Sequence, residues 1–360
     1  MSLSIGIVGL PNVGKSTLFN ALTDNNILAA NYPFATIEPN TGIIAVPDAR
    51  LHELQKMYSA EKVIPATVTF VDIAGLVAGA SKGEGLGNKF LANIRECDAI
   101  VHVVRAFQNS DVIHVDDTVD PKKDIETINT ELLLADLQSI DRHLPKLQKE
   151  AKANPAVRAE MAELEKLRSH LEKGTLASSV TDVSTDSIQG LQLLSAKPVI
   201  YVFNVDEETL SDSAKKEALR QLVSPAESIF ICAKLEEELR GLDDADTKEL
   251  LDSYGVDESG LAQLARAAYN TLGLQSYLTA GPKEVRAWTI TQGSTAPQAA
   301  GVIHTDFEKG FIAAAIVDYD DLTEAGSEQA AKAAGKLRTE GRDYVMRPGD
   351  VVEFRFNVSK

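Results

Sequence analysis

The stretch that decides the fold reads Gly9-Leu10-Pro11-Asn12-Val13-Gly14-Lys15-Ser16 and directly follows the β-branched run Leu3 to Val8. It matches the pattern G-x-x-x-x-G-K-[ST], in which backbone N–H groups curl around phosphate oxygens at the N-terminus of a helix. This pattern predicts that Lys15 reaches the β- and γ-phosphates and that Ser16 binds Mg²⁺. The other expected nucleotide-binding residues of the loop are Asn12, Val13, Gly14 and Thr17. The chain is therefore expected to bind a purine nucleoside triphosphate.

Two further elements follow in the order that nucleotide hydrolysis requires. Thr36, in Tyr32-Pro33-Phe34-Ala35-Thr36, lies where a switch loop can bring a hydroxyl to Mg²⁺ and the γ-phosphate. Asp72-Ile73-Ala74-Gly75 ends a β-run as a D-x-x-G motif. We expect Asp72 to hold a Mg²⁺-bound water and the Gly75 N–H to meet the γ-phosphate. The predicted metal ligands from the protein are Ser16 and Thr36.

Short apolar runs alternate with stretches long enough for crossover helices. This alternation predicts an α/β fold with a doubly wound, mainly parallel sheet. The runs after the first are Thr67 to Asp72, Ala99 to Val104, Pro198 to Phe203 and Ser228 to Cys232, and Thr41 to Val46 could add an antiparallel edge strand.

A heptad pattern interrupts this alternation. Leu137, Ile140, Leu144, Leu147 and Ala151 recur at spacings of three and four, and the pattern nearly repeats after Asn154-Pro155. We predict two antiparallel helices joined at that proline, as an inserted helical coiled-coil hairpin. The alternative is a pair of helices packed flat on the sheet.

The C-terminal part changes to β-rich pieces from about Tyr277, with a helix predicted over Ser327 to Lys336. It is expected to form a small α+β domain. The predicted domains are therefore 1–130 with 191–276 for nucleotide binding, 131–190 for the helical hairpin, and 277–360 for the C-terminal domain.

Composition and charge argue against some classes of protein. A formal net charge of −17 argues against a protein that coats nucleic acid indiscriminately. No run reaches the length that a membrane helix needs, so no membrane role is expected. The motif begins too early to leave room for a signal peptide, and Cys97 and Cys232 are the only cysteines, which predicts a cytoplasmic protein.

The order of these motifs, Tyr32-Pro33-Phe34, the glycine-rich stretch Gly75 to Gly87 and the heptad insert resemble the Obg-related translation-factor GTPases, and specifically the YchF/Obg-like ATPases. The resemblance covers nearly the whole chain. It implies a C-terminal TGS domain, which is a β-grasp module, with Ala300 to Phe307 as its internal signature. It also implies docking on the ribosome or structured RNA.

The base-reading motif departs from that of guanine-specific relatives. Where those have N-K-x-D, this chain has Asn204-Val205-Asp206-Glu207. A carboxylate one methylene longer, without the lysine, weakens guanine selectivity, and the resemblance implies a preference for ATP with GTP still possible. Asn204 and Val205 are the candidate base-pocket residues, together with the backbone after Cys232-Ala233-Lys234. The alternative is that Asn204 only caps a turn.

The group that activates the attacking water is also altered. Leu76 stands where Ras-like enzymes place a glutamine. Asn12 resembles the asparagine of potassium-stimulated relatives, so K⁺ is a candidate second cation beside Mg²⁺. His114 is a candidate for positioning water, the alternative being a structural histidine. The stretch Gly79 to Gly87 is expected to be a mobile switch or an ordinary surface loop.

These observations predict a slow ATPase switch, expected to be a monomer, that docks on the translation machinery. Two alternatives stay open, namely a conventional guanine-specific GTPase and an adaptor with a bound nucleotide that is not turned over. Two sets of basic residues could contact phosphates, or could be solvated charges: Lys146, Lys149 and Lys152, and Arg338, Arg342 and Arg347.

Overall fold

The computed structural model describes residues 3–24, 40–73, 86–108, 119–184 and 190–357. The chain folds into two compact units, the first made of Met1–Ile43 and Thr69–Leu264 and the second of Ile44–Val68 and Ala265–Lys360.

Numbered along the chain, the strands are β1 (Ser4–Val8), β2 (Thr41–Ala45), β3 (Lys62–Ile64), β4 (Thr67–Asp72), β5 (Ala99–Arg105), β6 (Val199–Asn204), β7 (Glu227–Ile231), β8 (Leu274–Ala280), β9 (Glu284–Thr291), β10 (Phe311–Asp318), β11 (Arg338–Glu340) and β12 (Asp350–Phe356). The helices are α1 (Lys15–Asp24), α2 (Arg50–Tyr58), α3 (Leu86–Glu96), α4 (Pro121–Glu150), α5 (Pro155–Glu172), α6 (Glu207–Ser211), α7 (Ser213–Gln221), α8 (Ala233–Glu238), α9 (Asp244–Ser253), α10 (Gly260–Thr271), α11 (Ala296–Ile303), α12 (Thr305–Lys309), α13 (Tyr319–Ala325) and α14 (Glu328–Ala333).

The first sheet has the order β2-β4-β1-β5-β6-β7. β1 pairs in parallel with both β4 and β5, and the parallel pairing continues from β5 to β6 and from β6 to β7. Every residue of β5 is buried, as expected for a central strand covered on both faces. The predicted doubly wound sheet is confirmed, and the strand expected at Thr41 to Val46 lies at its edge as β2.

The heptad segment forms the predicted pair of helices. α5 begins at Pro155, and the Asn154 side chain accepts a hydrogen bond from the Ala156 N–H at 3.1 Å. Ile140 and Leu147 of α4 are buried in one cluster with Leu164 of α5. The alternative of two helices lying flat on the sheet holds only for the start of α4, where Ile125 packs in the sheet core. α4 therefore joins the sheet core to the hairpin core.

The second unit is an α+β structure, as predicted. Its sheet has the order β11-β10-β12-β8-β9-β3, and one face packs against α11 through a core that includes Tyr277, Ala299 and Ile316. The helix predicted over Ser327 to Lys336 is present as α14. The assignment of this unit as a TGS domain stays a prediction.

The boundary of the second unit differs from the predicted one. Ile44–Val68 belongs to it, although the sequence analysis placed this segment in the nucleotide-binding domain and began the last domain at residue 277. The reason is a long-range pairing, since β3 lies parallel to β9 with Lys62 opposite Glu284. No local pattern in the sequence announces that pairing. Among the described residues, no helix is both long and apolar enough to cross a membrane.

Candidate functional site

The phosphate loop lies where the strand order of the first sheet reverses. β1 has β4 as its neighbour on one side and β5 on the other. Open α/β sheets bind ligands at the carboxyl ends of the strands on either side of such a reversal. Residues 9–14 leave the carboxyl end of β1 at this point and lead into α1, so the motif occupies the ligand-binding edge of the fold.

The loop backbone has the conformation that its sequence predicts. Asn12 and Gly14 both have positive φ angles, of 63° and 93°. The Leu18 N–H donates to the Gly14 carbonyl at 2.9 Å, which begins the hydrogen bonding of α1. Ser16 and Thr17 are exposed at its first turn. A cavity of about 560 Å³ is lined by these loop residues and Lys15.

The two predicted charged groups of the site contact each other. β1 and β4 are paired with Ile7 opposite Asp72, which places Asp72 at the same sheet edge as the loop. The Lys15 ammonium donates to the Asp72 carboxylate, and both side chains are largely buried. Two residues 57 positions apart in the sequence therefore meet at one edge of the sheet.

This donor set fits Mg²⁺ bound together with a nucleotide. Mg²⁺ in such sites uses one or two protein oxygens, and substrate phosphates and waters supply the rest. The Ser16 hydroxyl is exposed beside the loop cavity, and the Asp72 carboxylate lies at the same edge. Among the described residues, no group of three or more His, Cys, Asp or Glu side chains could hold a metal ion by itself.

Asn204 connects the base-reading motif to the phosphate loop. Its side chain is buried, and its Nδ2 atom donates to the Val13 carbonyl at 3.0 Å. The turn-capping alternative is wrong for this residue, because Asp206 caps α6 by accepting from the Thr209 N–H at 2.8 Å. Val205, predicted in the base pocket, has its side chain in the hydrophobic core.

Two acidic residues near Asn204, namely Glu207 and Glu236, accept hydrogen bonds. Glu207 accepts a hydrogen bond from the Lys234 ammonium at 2.5 Å. Glu236 is buried in a small cavity with Gly14 and Asn204, and it accepts from the Gly260 N–H at 2.6 Å. Burial raises the pKa of Glu236 to about 7, against the effect of its backbone hydrogen bonds.

The sequence analysis missed the side chains of Lys234 and Glu236. A signal was available, because both directly follow the strand predicted over Ser228 to Cys232, and ligands bind at the carboxyl ends of such strands. Three other predicted site residues, Thr36, Gly75 and His114, lie outside the described residues, as do Leu76 and most of the glycine-rich stretch. Their roles stay predictions.

Two protein families match parts of this chain. The family described as 50S ribosome-binding GTPase matches residues 4–139, and the C-terminal YchF-GTPase family, described as a protein of unknown function, matches residues 274–357. The chain is also 53% identical, over 99% of its length and 100% of the relative, to the "Ribosome-binding ATPase YchF" of Haemophilus ducreyi. The chain belongs to the YchF family. Its resemblance to the YchF/Obg-like ATPases is confirmed at full length.

Other members of the YchF family extend the comparison. A Bacillus subtilis protein, also named "Ribosome-binding ATPase YchF", is 48% identical over 99% of this chain and 100% of its own length. The solved structure of the Schizosaccharomyces pombe YchF GTPase is 40% identical, with a TM-score of 0.87 and 98% of each chain covered. A GTP-binding protein from Pyrococcus horikoshii, 22% identical with a TM-score of 0.59, shows the fold alone. The names of these relatives therefore differ on whether the nucleotide is ATP or GTP.

Proposed function

We propose that the chain is a Mg²⁺-dependent ATPase that binds the ribosome and works as a nucleotide-gated switch. The observation that carries the hydrolase part is the contact between Lys15 of the phosphate loop and Asp72 at the end of the neighbouring strand. The names of the bacterial relatives support both the ATPase and the ribosome-binding parts.

Each group in the site has a distinct task in this proposal. The loop N–H groups and the Lys15 ammonium bind the phosphate oxygens, so nucleotide binding exchanges the carboxylate partner of Lys15 for phosphate. Ser16 would ligate Mg²⁺, and Asp72 would hold one of its waters. Such an ion would supply positive charge beside the β- and γ-phosphate oxygens. Thr36 and Gly75 would sense the γ-phosphate and release it after hydrolysis.

The first test removes the lysine ammonium. Lys15→Ala should abolish triphosphate binding or turnover, because no other cation of the loop can reach the β/γ-oxygens. The exposed Lys152→Ala serves as the matched control and should hydrolyse ATP normally. Unchanged hydrolysis in Lys15→Ala would overturn the assignment of the site.

The preference for ATP or GTP distinguishes the proposed ATPase from a guanine-specific GTPase. A guanine-specific GTPase is favoured by the names of the matched N-terminal family and of the fission-yeast relative, which both contain the word GTPase. We expect ATP to bind at least as tightly as GTP when the two are titrated side by side with Mg²⁺. A clear GTP preference would support the alternative. Single-turnover phosphate release would likewise identify an adaptor that never hydrolyses its nucleotide.

The ribosome-binding part rests on the basic end of the helical hairpin. Lys146, Lys149 and Lys152 are all exposed at the end of α4 and just beyond it. Of the three arginines predicted in the second unit, Arg347 is exposed and the other two have partners. Arg338 lies 3.7 Å from the buried Asp350 carboxylate, and Arg342 donates to the Phe311 carbonyl at 3.3 Å. The hairpin lysines are therefore the stronger candidates for contacts with RNA phosphates.

Sedimentation with ribosomes tests this part. Reversing the three lysines to Glu should weaken binding while leaving ATP affinity unchanged, and affinity of the unmodified chain should fall steeply with salt. Reversing three exposed residues elsewhere, Lys215, Arg220 and Lys248, gives a control of equal charge change. Absence of ribosome association with ATP, a non-hydrolysable analogue and ADP would rule out the translation role.

A further inference from the structure

An ion pair lies at the carboxyl edge of β6 and β7, beside the base-reading motif. The two strands are parallel, with Asn204 opposite Ile231. Glu207 and Lys234 each follow three residues later, so the register of the strands brings them together. The Lys234 ammonium lies 2.5 Å from one Glu207 oxygen and 3.9 Å from Glu238.

This ion pair follows residues that contact the phosphate loop. Asn204, at the end of β6, is hydrogen-bonded to the phosphate loop through the Val13 carbonyl. Ala233, directly before Lys234, lines one small cavity with Gly14 and Asn204. The backbone that carries the ion pair therefore continues from residues that contact the phosphate loop.

The ion pair changes the chemistry that a base meets at the Glu207 position. Guanine offers two donors, its N1–H and its 2-amino group, and a free carboxylate accepts both. Adenine instead offers an unprotonated N1 atom, which needs a donor. A carboxylate alone repels that atom, whereas an ammonium donates to it and has no lone pair to accept from the guanine N1–H or 2-amino group. A free carboxylate at position 207 would only accept hydrogen bonds. The Glu207–Lys234 ion pair also contains a donor.

We propose that Lys234 is a specificity-determining residue, which holds the Glu207 carboxylate away from guanine-type recognition and supplies the donor that favours adenine. The inference rests on the proposed ATPase function and adds the residue that sets its base preference. The altered N-x-x-E motif follows β6, whereas Lys234 follows β7. The base preference is thus assigned to a side chain outside that motif.

The exposure of the ion pair supports a role in specificity over one in stability. The side chains of Lys234 and Glu207 are 66% and 42% exposed. Ion pairs this exposed contribute little to folding, because water screens both charges. The hydrogen bond to Glu207 raises the pKa of Lys234, so its ammonium stays charged over the working pH range. Substitutions at either position should leave the fold intact.

The experiment compares the affinities of the full chain for non-hydrolysable ATP and GTP analogues with Mg²⁺, by titration calorimetry. Lys234→Ala should lower the ATP-over-GTP preference by about two- to fivefold, through weaker ATP and tighter GTP binding. In the Glu207→Gln background the same substitution should no longer tighten GTP binding, because the freed carboxylate is absent. A thermal melt of each variant verifies folding.

The matched control is the ion pair of Lys215 with Glu208 on neighbouring helices, which is 2.7 Å long and also exposed, at 47% and 81% of the two side chains. Lys215→Ala removes the same charge and should leave the preference unchanged. If Lys234→Ala binds both analogues with the original preference, or if Lys215→Ala shifts it equally, the inference is overturned. If the unmodified chain binds neither nucleotide, the proposed function itself fails, which is a different result.

Discussion

The contact between Gly14 and Asn204 gives the sharpest prediction for the phosphate loop. A Cβ atom added at Gly14 would lie 2.2 Å from the Asn204 Nδ2 atom, far inside contact distance. Gly14→Ala must therefore displace the amide that donates to the Val13 carbonyl. Losing that buried hydrogen bond costs about 1–3 kcal/mol. The φ angle of 93° adds backbone strain of about 1–2 kcal/mol in alanine.

The two contributions can be separated by a double-mutant cycle. Asn204→Ala alone should destabilise the chain by about 1–3 kcal/mol, because the Val13 carbonyl loses its partner. In that background Gly14→Ala meets no amide, so it should add only the strain of about 1–2 kcal/mol. The two substitutions should therefore be non-additive, with a coupling free energy of about 1–3 kcal/mol.

Urea unfolding in the absence of nucleotide measures the cycle, and ATP titration reports its effect on the site. Gly174 provides a control for strain alone, since its φ angle is 84° and an added Cβ would have nothing within 4 Å. Gly174→Ala should cost as much as Gly14→Ala does in the Asn204→Ala background. Additive free energies for Gly14→Ala and Asn204→Ala would refute this account of how the loop is held.

Three further predictions concern pH, the hairpin and turnover. The pKa of Glu236 is raised from 4.5 to about 7 in the folded state. The Glu236 carboxyl group therefore contributes most to the free energy of unfolding below pH 4.5. This contribution, at most about 3 kcal/mol, is lost as the pH rises to 7. Relative to Glu236→Gln, the unmodified chain should lose stability over that range in urea titrations. Asp136 is buried and accepts from the Leu194 and Ser195 N–H groups, both at 2.8 Å, so Asp136→Ala should cost about 2–5 kcal/mol in the same assay. Hydrolysis should be slow, faster in K⁺ than in Na⁺, and reduced in His114→Ala without loss of nucleotide binding. Equal rates in the two salts would end the cation hypothesis, and normal turnover in His114→Ala would make that histidine structural.

Much of the first sheet was predictable because each of its buried strands carries its own signal. The β-branched runs, the glycines of the loop and the helix after it are all consequences of local sequence. The placement of Lys15 and Asp72 at one edge of the sheet was predictable as well, since the phosphate loop follows β1 and Asp72 ends β4 of a doubly wound sheet.

What could not be predicted depends on pairing across long sequence separations. The placement of Ile44–Val68 in the second unit follows from the pairing of β3 with β9, and β3 is too short to be recognised by its composition. The role of Lys234 follows from the register of β6 and β7, which the two strand sequences do not specify. The burial of the Val205 side chain in the core was not predictable either, because its position beside the base motif does not say which way the side chain points.

Helix α4 has a mechanical consequence. Ile125 near its start packs with Val104 and Phe203 in the sheet core, and Leu147 near its end packs with α5. A continuous helix of 30 residues is about 45 Å long. A tilt of about 5° at the sheet would displace its far end by about 4 Å. A small rotation of α4 where it packs on the sheet would therefore become a larger displacement at the hairpin tip. Distances between spin labels on the tip and on the sheet would measure that displacement.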